Sequence, residues 1–213
     1  MTCNRRSLDV TESADSPAVS TSDMKAFLRV DGTGDDTMIA GFVTSATELI
    51  KQYLGVGLLT ETMRLTLDGF SAEPSWDRLW ALGPGMHTGS RAHLMGHPGV
   101  IDLPFGPVQS ITSIVTYDRA NNASTFDAAS YILDGSGWRV ILNEGYTWPT
   151  ELRDVAAVQI TYVAGYGSGS IPAPIVEAIK LQAQGLYDGT CAGLMDAVGR
   201  MIGPYRRMDA LSW

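Results

Sequence analysis

Apolar and polar positions follow two different periods along this chain, and each change of period marks a new element. Met24, Phe27 and Leu28 fall at helical spacing and predict a short helix capped by Thr21 or Ser22, ending before Asp31-Gly32. Asp35 and Asp36 open a longer helix, where carboxylates favour the positive end of the dipole. Its apolar stripe runs through Ile39, Phe42, Val43, Ala46, Leu49, Ile50, Tyr53 and Leu54, and Gly55 and Gly57 stop it. The period then drops to two. Met63, Leu65 and Leu67 alternate with Thr62, Arg64 and Thr66, as in a half-buried strand. Residues 71–100 show no period and read as a long loop insertion, within which Trp76 to Leu82 could be a short helix.

Leu103-Pro104-Phe105-Gly106-Pro107 is a rigid corner, because two prolines fix φ and offer no donor. Val108 to Tyr117, rich in Val, Ile, Thr and Tyr, enters the sheet from it. Asn121-Asn122 reads as a turn. Tyr131–Leu133 and Trp138–Leu142 flank a hairpin turn at Asp134-Gly135-Ser136-Gly137, and Val158, Ile160 and Tyr162 share one face of a further strand. A glycine loop over 165–170 precedes a helix with prolines at its start and a stripe of Ile175, Ile179, Ala183 and Leu186, ended by Gly189. Leu194, Met195, Val198, Met201 and Ile202 mark a last helix before Gly203-Pro204. Strands grouped between helices predict an α+β fold, a single domain with helices at both ends packed around a central antiparallel β-sheet. Residues 1–21 read as a flexible N-terminal arm, 22–205 as the domain, and 206–213 as a C-terminal tail.

Bulk composition narrows the function. The 213 residues suit one domain, and the 45% hydrophobic content is enough for a core without staples. A net charge of −8 argues against gripping DNA through its phosphates, which needs clustered Lys and Arg, although DNA could slide past such a protein. Cys3 and Cys191 form no C-x-x-C pattern, which fits a reducing compartment. No apolar run is long enough to span a membrane, and the first residues lack a signal core.

Catalytic and cofactor motifs are weak. His87, His93 and His97 lie close together, and His93 and His97 have zinc-ligand spacing. That spacing motivates a small metal-dependent hydrolase as the alternative function. Gly96 and Pro98 work against a helix there, however, and no Glu follows His93 as in H-E-x-x-H. The loop at 165–170 resembles a phosphate cradle between strand and helix, but position 170 is Ser, no Lys follows, and Pro172 and Pro174 remove donors. A flexible strand-to-helix connection is the simpler reading. No G-x-S-x-G elbow occurs, and capping explains the paired Asp35 and Asp36. The sequence therefore points to no enzyme, no cofactor and no catalytic or metal residue; a generic peptide-binding module stays open.

The tail carries more information. Arg206 and Arg207 are followed by Leu211 and Trp213, and Trp and Arg dominate binding hot spots, at about 2 kcal/mol or more each. Docking to a partner is expected there, against the alternative that Leu211 and Trp213 fold back on the chain's own core.

Six stretches, in order over about residues 22–207, resemble the head–tail connector (adaptor) proteins of long-tailed phages and phage-derived gene transfer agents. They are Met24 to Asp31, Asp35-Asp36 with the helix to Tyr53-Leu54-Gly55, Leu103 to Ile111, Ile160 to Gly167, Pro172-Ala173-Pro174-Ile175, and Pro204-Tyr205-Arg206-Arg207. The resemblance implies a non-enzymatic virion part, assembled in the bacterial host cytoplasm. It implies a ring, typically of twelve copies, beneath the portal protein at the head–tail interface, extending the DNA channel and presenting a face to the next tail-side connector, a stopper or tail terminator. DNA would pass through the lumen without specific binding. It also implies that the C-terminal segment reaches the portal, which makes Tyr205, Arg206, Arg207, Leu211 and Trp213 the candidate portal-docking residues. The insertion at 71–100, the arm and the segment after Arg207 lie outside the matching part.

Overall fold

Ser20 starts the helical part of the chain: its hydroxyl accepts from the Asp23 amide (3.0 Å) and caps α1 (Thr21–Leu28). Lys25 pairs with Asp36 at 2.6 Å and also donates to the Gly32 carbonyl, which pins the turn into α2 (Asp36–Leu54). Gly55, left-handed at φ 65°, ends α2. The computed structural model describes residues 6–14, 16–70, 99–167, 169–190 and 194–207, with backbone alone for Arg6, Leu194 and Met195. The strands are β1 (Arg6–Glu12), β2 (Glu61–Leu67), β3 (Val100–Asp102), β4 (Val108–Tyr117), β5 (Ala123–Thr125), β6 (Tyr131–Leu133), β7 (Arg139–Leu142) and β8 (Val158–Ala164). Helices α3 (Ala173–Asp188) and α4 (Leu194–Ile202) close the chain, with a 3₁₀ turn at Gly203–Tyr205. The class is mixed α+β with antiparallel strand pairs.

The described chain sorts into two compact units. The first takes residues up to 10, 63–103 and 110–162; the second takes 11–62, 104–109 and from 163 onward. The first unit is built on strands. Where the pattern predicts one sheet there are two, a five-stranded sheet in the order β1-β2-β8-β4-β5 and a three-stranded one in the order β3-β7-β6. The alternation in β2 and β8 holds: Met63, Leu65, Val158, Ile160 and Tyr162 are fully buried. The arm expected to lack structure contributes β1 at an edge, and β3 and β5 are short strands that the sequence pattern did not separate from their neighbours.

A hairpin in this unit is fastened by one carboxylate. Asp134 accepts from the Ser136 hydroxyl (2.7 Å), the Trp138 amide (3.0 Å), the Arg139 amide (3.3 Å) and Arg139 Nε (3.0 Å). Burial alone would raise its pKa, but these hydrogen bonds together outweigh it and hold the carboxyl at about 2. Nearby, Trp148 stacks on Phe70 at 4.3 Å and leans on Phe126 at 5.1 Å.

The second unit is helical. Helix α2 packs on α1 and α3, and α3 packs on α4. The buried apolar positions of α2 are Ile39, Val43, Ala46, Ile50 and Leu54, whereas Leu49, placed in the predicted stripe, is exposed. In α3 Gln182 is buried beside Ile175, Ile179 and Ala183. Near the end of α2, Lys51 reaches Glu61 at the start of β2 (2.6 Å); both side chains are more than nine-tenths buried, and the Phe105 ring lies 5.9 Å from the ammonium.

Three segments cross beside this ion pair with almost no room between their backbones. The Gly57 amide donates to the carbonyls of Phe105 and Gly106 (both 3.0 Å), the Gly165 amide to Pro107 (2.9 Å), and the Tyr166 amide to Gly57 (3.2 Å). Gln109 Nε2 adds bonds to the Gly165 carbonyl (2.8 Å) and Thr60 Oγ1 (3.1 Å). A Cβ on Gly57 would stand 2.5 Å from the Phe105 carbonyl oxygen, and one on Gly165, which sits at φ 115°, would overlap that of Leu59. These glycines are required by close approach as well as by conformation.

Replacing Gly165 by Ala is expected to cost more than about 4 kcal/mol in chemical denaturation, since backbone must move. Gly169→Ala, at φ 83° with nothing within 4 Å, should cost only about 1 kcal/mol. Lys51→Met alone leaves Glu61 buried and unpaired and should cost about 3–5 kcal/mol, most of it recovered in the double variant Lys51→Met/Glu61→Leu. Asp134 is depressed below its ordinary 3.8, so its contribution is complete above that value and fades as pH falls toward about 2. Thermal scans should show Asp134→Asn less stable than the native chain at pH 7, with the gap closing between about pH 4 and pH 2.

Candidate docking site at the root of the C-terminal segment

Tyr205, Arg206 and Arg207 lie in the second unit, immediately after α4, and the structure brings them to the last turn of α2. The turn Gly203–Tyr205 is closed by the Arg206 amide donating to the Gly203 carbonyl (3.1 Å). The next amide, of Arg207, donates to the Leu54 carbonyl (2.8 Å). Leu54 is the last residue of α2, so its carbonyl has no acceptor role inside the helix and is satisfied here from outside. The Arg206 guanidinium lies over the Tyr53 ring at 4.9 Å, close to the negative end of the same helix. Its Nε is buried without a hydrogen-bond partner.

Tyr53 also meets α4. Gly199 is buried, and a Cβ on it would stand 2.7 Å from the Tyr53 hydroxyl oxygen. Burial raises the Tyr166 phenol above its ordinary value, and the neighbouring Tyr205 adds to the shift, which puts Tyr205 beside the glycine connection after β8. All three root residues are half-buried. The Arg206 guanidinium and the main-chain amide of residue 207 therefore hold the chain against its own helix. Leu211 and Trp213 lie outside the described residues.

The sequence did not mark Tyr53 and Gly199 as functional. Tyr53 was legible as part of a core stripe and of the long helix in the family resemblance. A glycine within the pattern of α4 is the one available signal, since it costs about 1 kcal/mol against Ala in a helix and so suggests close packing.

Among the described residues the other chemical candidates give no second site. His87, His93 and His97 fall outside the described residues, and among the described ones no group of three His, Cys, Asp or Glu is placed to hold a metal. The connection read as a phosphate cradle has its Gly165 and Tyr166 amides engaged by Pro107 and Gly57, so its first half is fixed in the crossing instead of flexible and open to an anion. No described helix is long and apolar enough to cross a membrane.

Comparison with known proteins bears on this geometry in two ways. Eight chains of solved structures match, and three of them show the extent of the shared fold. One, from the neck of an empty GTA particle computed with C6 symmetry, has a TM-score of 0.70 and 17% identity, covering 97% of this chain and 98% of that one. A second, from the virion of a native gene transfer agent (GTA) particle, has a TM-score of 0.67 and 19% identity over 97% and 98%. A third, from the neck of a native GTA particle computed with C12 symmetry, has a TM-score of 0.63 and 17% identity over 96% and 98%. No curated protein matches by sequence. The sequence model described as phage gp6-like head-tail connector protein matches residues 19–131, which take in α1, α2, the β2 strand and the glycine-proline corner, and the chain belongs to that family.

Proposed function

We propose that the chain is a virion adaptor that assembles into a twelve-copy ring beneath the portal protein, joins head to tail and extends the DNA channel. The observation that carries the reading is the family match together with a fold shared, end to end, with chains of particle necks and virions. The C12 symmetry of one of those necks supports the copy number. Such a ring is closed by heterologous contacts, each copy presenting one surface to a different surface of the next. Its other partners are neighbouring copies of itself and a tail-side connector, a stopper or tail terminator. Its location is the head–tail interface of the virion, after assembly in the bacterial host cytoplasm.

The net charge of −8 fits a lumen that DNA traverses without specific binding, because like charge repels the phosphate backbone. The reading is structural and assigns no catalytic residue or cofactor. Docking to the portal is given to the C-terminal segment. Tyr205, Arg206 and Arg207 form its root, and Leu211 and Trp213 are its contact residues.

Deleting residues 208–213 leaves every described contact of the root in place. The shortened chain is expected to keep its thermal unfolding midpoint and to lose at least about 30-fold in affinity for the portal ring of its own particle, the scale of one hot-spot side chain. Negative-stain images of the mixture should show rings on portals with the full chain and bare portals with the deletion. Undiminished decoration by the shortened chain would refute docking through this segment.

A further inference from the structure

We infer that Tyr53 is the positioning residue of the C-terminal segment, fixing where that segment leaves the body so that it can reach its partner, which rests on the docking reading above. Three independent contacts converge on the last turn of α2. The Arg206 guanidinium covers one face of the ring at 4.9 Å. The bare Cα of Gly199 makes space for the phenol, which any side chain there would meet at 2.7 Å. The Arg207 amide closes on Leu54, the residue next to Tyr53, at 2.8 Å.

The consequence is a shared dependence. Helix α4 packs on α3, and the ring of Tyr53 lies between α4 and the residues after the 3₁₀ turn. Taking it away loosens both the seat of α4 and the stack under Arg206. A segment whose origin is fixed loses less freedom on binding than one that swings, so a residue that never touches the partner can still alter affinity. The Arg206 side chain is then a holding group, and the partner meets residues beyond it.

The contacts predict an ordered set of variants. Tyr53→Phe keeps the aromatic face and should behave as the native chain. Tyr53→Leu removes that face. Hydrogen exchange at the Arg207 amide should then rise about tenfold, the scale of a desolvated cation–π contact, while amides from Val43 to Ile50 keep their protection. Portal affinity should fall by about the same factor. Gly199→Ala pushes the phenol aside from the opposite direction and should reproduce the loosening with the ring still present. Combining Gly199→Ala with Tyr53→Phe removes the oxygen at 2.7 Å but keeps the ring carbon at 3.1 Å, so both readouts should recover in part.

Native exchange at Arg207 in Tyr53→Leu, or no recovery in the double variant, would overturn the positioning role. So would a loosened root with unchanged portal affinity. Failure of the docking reading is separately visible, because it appears as full affinity in the chain lacking residues 208–213.

Discussion

Backbone crowding at Gly57 and Gly165 is the constraint on which the helical unit depends. Gly57 donates into the corner at Phe105 and Gly106, and Gly165 donates into the same corner at Pro107. The end of α2, the starts of β2 and β4, the end of β8 and the approach to α3 all lie within a few residues of that crossing. No side chain can be added to either glycine without displacing a main-chain carbonyl. Backbone cannot yield as a side-chain tip can, so the crossing constrains the path of each segment. The phosphate-cradle pattern and this crossing draw on the same property of glycine, close approach of backbone. The donors at Gly165 and Tyr166 are spent on the protein itself, which is why the pattern resembles a ligand loop without being one.

Helix α2 turns this constraint into a site. Lys51 ties the helix to Glu61 with both charges out of water, so the pair contributes little net stability compared with an apolar replacement but makes any misplacement of one partner expensive. Two residues later, Tyr53 meets Gly199 and Arg206. The same last turn therefore holds the first residues of β2 on one side and the root of the C-terminal segment on another. An element that is over-determined in this way is a suitable base from which to project a contact segment.

The legible features of the sequence are the local ones. The bounds of α2 and α3 are written in Asp35-Asp36, Gly55, Pro172 and Gly189, and they fall where those residues predict. The inward faces of β2 and β8 come from strict alternation, and Met63, Leu65, Val158, Ile160 and Tyr162 are buried accordingly. Pairing is not local. Nothing in Arg6–Glu12 announces a strand, because its mixed polar composition suits an exposed edge as well as a disordered arm, and only the place beside β2 decides. The split into two sheets is hidden for the same reason: β3 is three residues long and is identified by its register with β7, Val100 opposite Ile141. Leu49 and Gln182 show the limit of the apolar stripe. Helical phase places both near its boundary, and the neighbouring helices determine that the leucine is exposed and the glutamine buried.

The candidate site was legible in its chemistry and not in its geometry. Arg206, Arg207 and a terminal Trp213 mark the C-terminal segment as a contact element by residue type. Residue type alone would assign the arginines to the partner. In the structure the Arg206 guanidinium lies over the Tyr53 ring, and the main-chain amide of residue 207 satisfies the Leu54 carbonyl at the end of α2. Under the proposed docking, an arginine held in this way would give the segment a fixed origin, and entropy removed before the encounter is not lost during it. In the proposed ring each copy would have to present the same geometry to its partner, and a root fixed on a rigid helix by one aromatic side chain and one glycine would supply it.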